Sequence, residues 1–200
     1  MKKILFLALL VVSSTSFAKL NFVTTSHAGQ WALNNEASTL NFITTKNASK
    51  TEVQTFKKVQ GKISGTQVTL SVDLSSVDTG IEIRDERLRK LFFNIVKFPV
   101  ATVAIDLNKT DLGPMKPGQR KILKLDAEIT LLDTTQTVPV ELQVIALAKK
   151  ELLVVSYRPI IIDLKNFNLL NGVNALREIA KLQSINAAVP VTFSLFFSHQ

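Results

Sequence analysis

Alternation of apolar and polar residues at period two dominates this chain. Val68, Leu70, Val72 and Leu74 alternate cleanly, as do Val103, Ile105 and Leu107. Leu123, Leu125, Ala127, Ile129 and Leu131 form a longer series. Val138, Val140, Leu142 and Val144 answer it across a turn at Asp133-Thr134-Thr135. Val189, Val191, Phe193, Leu195 and Phe197 close the chain, with Pro190 on the opposite face near the start of its strand. Shorter strands are predicted near residues 38–45, around Leu40 and Phe42, over Val53 to Val59, and over Leu152 to Tyr157. Period two places alternate side chains on one face, so each segment has an apolar and a polar side. About eight such strands at short spacing predict an all-β sandwich or barrel, and a closed antiparallel sheet leaves no edges.

Two segments break the pattern. From Arg84 the period becomes helical: Leu88, Leu91 and Phe92 lie three and four residues apart, and Phe93 follows. Asp85 and Arg89, and Glu86 and Lys90, are acid-before-base pairs at i,i+4, each contributing about 0.2–0.5 kcal/mol. So short a helix is marginal alone and has to dock its apolar side on the strands. It either plugs a barrel end or serves as a lid over a ligand. The second segment, residues 174–182, carries Leu176, Ile179, Ala180 and Leu182 on one face, after a turn signal at Asn171-Gly172.

The first residues read as an export leader. Lys2 and Lys3 precede the apolar run Ile4 to Val12, and Ser16-Phe17-Ala18 offers small residues before a cleavage point. The run is too short to span a bilayer, which takes about 20 apolar residues. The expected organisation is a leader over residues 1–18 and one domain over 19–200, periplasmic or secreted. Losing Lys2 and Lys3 lowers the formal net charge from +8 to +6. That basic balance suits transient contact with an anionic membrane surface. No nucleic-acid motif accompanies it, and nucleic acid is not an expected partner.

Chemistry-bearing residues are sparse. There is no Cys, which excludes thiol catalysis and thiolate metal sites, and the two His are His27 and His199. Nucleophile-elbow, phosphate-loop and dinucleotide motifs are absent, so neither an enzyme nor a cofactor is expected.

At the helical break the chain resembles the polyisoprenoid-binding YceI-like family. The residues that carry the likeness are Ser76-Val77-Asp78-Thr79-Gly80, Arg84-Asp85-Glu86-Arg87-Leu88, Phe92-Phe93 and Phe98-Pro99. Thr55 to Ile63, Trp31, Leu125 to Leu142 and Ile185 to Leu195 extend it over nearly all of the mature chain. Three positions depart from the family pattern. Arg87 replaces a His, the Gly of the central hairpin is lost around Leu132-Asp133, and Phe167-Asn168 stands for a Phe-Gly.

The resemblance implies an exported, lipocalin-like antiparallel β-barrel of about eight strands with one or two short helices. It implies an apolar cavity for a long-chain amphiphile: a polyisoprenoid, an isoprenoid quinone or a fatty acyl chain. Alternation then nominates Phe42, Phe56, Leu70, Val72, Leu88, Phe92, Phe93, Ile129, Leu131, Val140, Leu142, Val155 and Phe193 as lining, with Arg84 and Asp85 at the rim. Arg84, Arg87 and Arg89 are candidates to meet an anionic or carbonyl head, against solvation or pairing with Asp85 or Glu86. A filled barrel acting as an interaction or inhibitor module, monomeric or dimeric, is the alternative.

Overall fold

The computed structural model describes residues 30–109, 113–148 and 150–200. The leader expected over residues 1–18, its cleavage point and His27 lie outside them. The described chain folds into a closed antiparallel barrel with three accessory strands and two short helices.

The elements follow in order: β1 (Trp31–Lys46), β2 (Lys50–Phe56), β3 (Val59–Ser64), β4 (Gln67–Asp73), β5 (Val77–Asp78), α1 (Glu82–Arg87), β6 (Val100–Asp106), β7 (Arg120–Leu131), β8 (Thr134–Ala148), β9 (Glu151–Ser156), β10 (Ile160–Asp163), α2 (Leu170–Ile179) and β11 (Ala188–His199). The barrel wall runs β1-β3-β4-β6-β7-β8-β9-β11 and closes where β11 pairs β1. Outside the ring, β2 and β5 extend from β1, and β10 pairs with β11.

The strong alternations all became wall strands. Where alternation was broken, sequence reading shortened or merged elements. β1 starts at Trp31 because a bulge absorbs the polar run Asn34–Ser38: its register against β11 slips between Asn34 and Thr39. Ser38 Oγ donates to the Asn34 carbonyl at 2.6 Å and accepts from Phe196 N–H at 2.9 Å. The bulge lets β1 leave β3 and pair with β2. The single strand expected over Val53 to Val59 is two strands, broken at Lys57-Lys58, and β10 went unread because it has four residues.

Helix α2 begins at Leu170, four residues before the expected start, and runs through Asn171-Gly172. Gly172 is there for close approach: a Cβ would sit 2.9 Å from Phe92 Cδ2. The helix ends in a Schellman motif. Lys181 takes φ 53°, Leu182 N–H donates to Arg177 O at 2.9 Å, and Lys181 N–H donates to Glu178 O at 3.0 Å.

Two clusters make the core. One fills the barrel middle around Leu125, Ala127, Val140, Val144, Leu195 and Phe197. The other, around Leu74, Val77, Phe92, Phe93, Phe167 and Val173, joins the helices to the barrel end.

Candidate functional site

The interior is not packed solid. A first cavity of about 140 Å³ lies in the barrel middle, and every side chain lining it is apolar. A second, of about 210 Å³, lies beneath the helices. Leu40, Val72, Val103, Ile129, Ile162 and Val191 line both, so the two are adjacent lobes that share a waist.

Most of the nominated residues come together there. Leu70, Val140, Leu142 and Phe193 line the middle lobe. Phe42, Phe56, Leu88, Phe92, Phe93 and Leu131 line the helix-side lobe, and Val72 and Ile129 belong to both. Val155 does not: Val154 and Leu152 line the middle lobe in its place. Strand β9 is apolar on both faces, so alternation could not assign its parity. Pairing does: Val154 sits beside inward Val144, and Val155 beside Gln143.

The helical break is built from an acceptor and a widened turn. Asp85 is 6% exposed. It accepts from Thr79 N–H at 2.9 Å and from the Thr79 hydroxyl at 2.6 Å, which clamps the Asp78-Thr79-Gly80 turn onto α1. Asp85 is therefore committed to the fold and lines neither lobe. Arg89 pairs with Glu82 at 2.9 Å and not with Asp85, whereas the expected Glu86–Lys90 pair forms at 2.5 Å.

After α1 the chain makes a π-turn over Leu88–Phe92, closed by Phe93 N–H to Leu88 O at 2.9 Å. A turn closed between i and i+5 holds an extra residue. Phe92 and Phe93 thereby return to the face of Leu88, while Leu91, expected inward, turns out and is 46% exposed. The two rings meet edge to face at 4.9 Å, and Phe93, Phe56 and Phe42 continue the aromatic wall at 5.8 and 5.1 Å.

The arginines are engaged beside the lobe, not inside it. Arg84 Nη1 meets Glu52 Oε2 at 2.6 Å, and Lys46 Nζ meets the same oxygen at 2.7 Å. Glu52 thus ties α1 to the β1–β2 hairpin. The hydrogen bond from Lys46, reinforced by the Arg84 charge, holds its carboxyl below the ordinary 4.5 despite partial burial. Arg87 is half-buried and lines neither lobe.

Sequence reasoning missed the polar members of the helix-side lobe, Thr44, Gln54 and Asn186, and its wall from α2, Val173 and Leu176. A signal for Gln54 was present: it shares strand parity with Phe56. Among the described residues no group of three or more His, Cys, Asp or Glu could hold a metal ion. His199 packs edge-on against Trp31 at 5.2 Å and lines neither lobe.

No curated protein matches the chain. Among solved structures, it is similar to a polyisoprenoid binding domain from Saccharophagus degradans implicated in plant cell wall breakdown. The TM-score is 0.82 at 29% identity, over 85% of this chain and 98% of that one. BcnA from Burkholderia cenocepacia shares the fold, with a TM-score of 0.61 at 17% identity over 82% of this chain and 98% of its own. The YceI-like domain model matches residues 31–197. With the barrel, the clamped helical break and this match in agreement, the chain belongs to the YceI-like family.

Proposed function

We propose that this protein is an exported, non-catalytic lipid-binding protein that holds a long-chain amphiphile in its barrel for carriage, storage or sequestration. The two-lobed apolar channel carries this reading. Each buried CH₂ contributes about 0.8 kcal/mol, and association costs about 4–15 kcal/mol in lost freedom. About ten or more buried carbons are needed before apolar contact alone gives useful affinity. A long isoprenoid or acyl tail supplies them, and an elongated channel suits a tail better than a compact metabolite. The polyisoprenoid binding domain to which this chain is similar supports an isoprenoid over other tails. Export to the periplasm or beyond rests on the leader pattern of residues 1–18. The alternative of a filled barrel requires a solid interior, and the channel counts against it.

Native mass spectrometry after gentle purification, with extraction and identification of the lipid, tests the proposal. The expected result is a retained long-chain amphiphile, or uptake of an isoprenoid, quinone or fatty acid on titration. A barrel that is isolated empty and takes up none of these overturns it.

A further inference from the structure

The two strands that floor the helix-side lobe carry a polarity gradient. On one face of β1 the order is Leu40, Phe42, Thr44, Lys46, and on the facing side of β2 it is Phe56, Gln54, Glu52. Phe42 pairs with Gln54, and Thr44 with Glu52. Along both strands the wall passes from apolar, through neutral polar, to charged at the rim.

Gln54 is 5% exposed although it is polar, and it faces inward while its neighbour Val53 is 66% exposed. Its Nε2 donates to Thr44 Oγ1 at 3.1 Å, and among the described residues the side-chain amide makes that one hydrogen bond. The rest of its hydrogen-bonding capacity opens onto a lobe otherwise lined by apolar groups, Thr44 and Asn186. Because a threonine hydroxyl both donates and accepts, the amide can turn over and offer the lobe either an acceptor or a donor.

We propose that this end of the channel selects an uncharged, hydrogen-bonding head, a hydroxyl or carbonyl, over a phosphate or carboxylate, and that Gln54 is the side chain that reads it. The inference rests on the lipid-binding reading above and adds the head-group class. An amide left half-paired in an apolar wall is unfavourable, and a ligand hydroxyl or carbonyl completes it. Among the described residues, no cation lines the lobe to meet an anionic head. Lys46 and Arg84 stand at the rim, outside the lining, and converge on Glu52 at 2.7 and 2.6 Å, so a phosphate would have to displace a carboxylate to pair with them. Burying it unpaired beside Gln54 carries the penalty of an uncompensated charge.

A matched C20 series tests this: the saturated hydrocarbon phytane, the alcohol phytanol and phytanyl phosphate, each titrated against the delipidated protein by displacement of a fluorescent fatty acid. The expected ranking has the alcohol roughly tenfold tighter than both others, the worth of one completed hydrogen bond. In Gln54→Leu the alcohol falls to the hydrocarbon's affinity while the hydrocarbon changes less than about twofold. Thr44→Val, which removes the hydroxyl that orients the amide toward the lobe, is a second variant that also lowers the alcohol's advantage. The proposal is overturned if the phosphate binds as tightly as the alcohol, or if Gln54→Leu weakens alcohol and hydrocarbon alike. Should Gln54→Leu fail to fold, the wild-type ranking and Thr44→Val decide. Equal binding of all three ligands defeats the head-group inference alone, whereas no binding of any defeats the lipid-binding reading with it.

Discussion

Leu132 and Asn168 are not glycines, yet both adopt φ 58°. Glycine occupies that left-handed region without steric cost, asparagine tolerates it, and other side chains lose about 1–2 kcal/mol there. Leu132 offsets its cost by packing on the core cluster beneath the helices, and Asn168 Nδ2 donates to Thr134 Oγ1 at 3.3 Å. Asn168→Gly should therefore change stability little, whereas Asn168→Val should cost about 1–2 kcal/mol in urea unfolding. Asp85 is a residue of a different kind. Its carboxylate accepts two hydrogen bonds from Thr79 and sits almost wholly out of water. Asp85→Ala strands the Thr79 donors and should cost about 1.5–3 kcal/mol, measured in the same way. An unchanged denaturation midpoint would remove the clamp from the account.

At the scale of elements, the helical break covers the helix-side lobe and is fastened at two points; in the proposed function it is the lid. Its apolar side docks Leu88, Phe92 and Phe93 on the lobe, with Phe92 against Gly172 of α2. Its polar side is fastened by Arg84 to Glu52 of β2. Since the folded-state pKa of Glu52 lies below the ordinary 4.5, its contribution is fully present above that value. It is lost as pH falls through the depressed folded value. Release of a bound fluorescent long-chain alcohol, whose head does not titrate, should accelerate below about pH 4.5 in the wild type when followed by stopped flow. In Glu52→Gln it should already be faster at pH 7 and depend less on acid. Equal rates for the two proteins at pH 7 would show that the ion pair does not fasten the lid. Lys57–Asp78, at 2.6 Å, lies at the other side of the same turn and titrates in the same direction, with Asp78 held below its ordinary value chiefly by Lys57.

At the scale of the whole molecule, the proposed function makes the waist between the lobes the point that a long tail has to pass. Val103 lines both lobes from β6, between Leu70 and Ile129 on the neighbouring strands. Val103→Trp should close the waist at a stability cost of about 1–3 kcal/mol from overpacking. Calorimetric titration with fatty acids of increasing length should then show affinity rising with chain length in the wild type, by about 0.8 kcal/mol per added CH₂. In the variant the rise should stop once the helix-side lobe is full. A variant that follows the wild-type curve to the longest acids would mean that the tail does not pass the waist.

Much of this was legible in the chain itself. Wherever one face of a strand is apolar and the other polar, as in β4, β6, β7 and the end of β11, burial has one solution, and alternation alone assigns the inward residues. The change of period at Arg84 marked a helical segment that docks on the barrel, without deciding between a plug and a lid. Tertiary structure decided the rest, because pairing and context were needed. Val155 went outward since β9 is apolar on both sides and takes its parity from β8. Leu91 went outward since a π-turn, absent from any helical periodicity, rotated the phenylalanines past it. Arg84 found Glu52, 32 residues away in sequence, instead of the acids beside it. Gln54 became the polar end of an apolar channel only once β2 was laid against β1. Local pattern determines which side of a strand is buried; which partner each side meets, and whether the space between is filled, is settled by long-range packing.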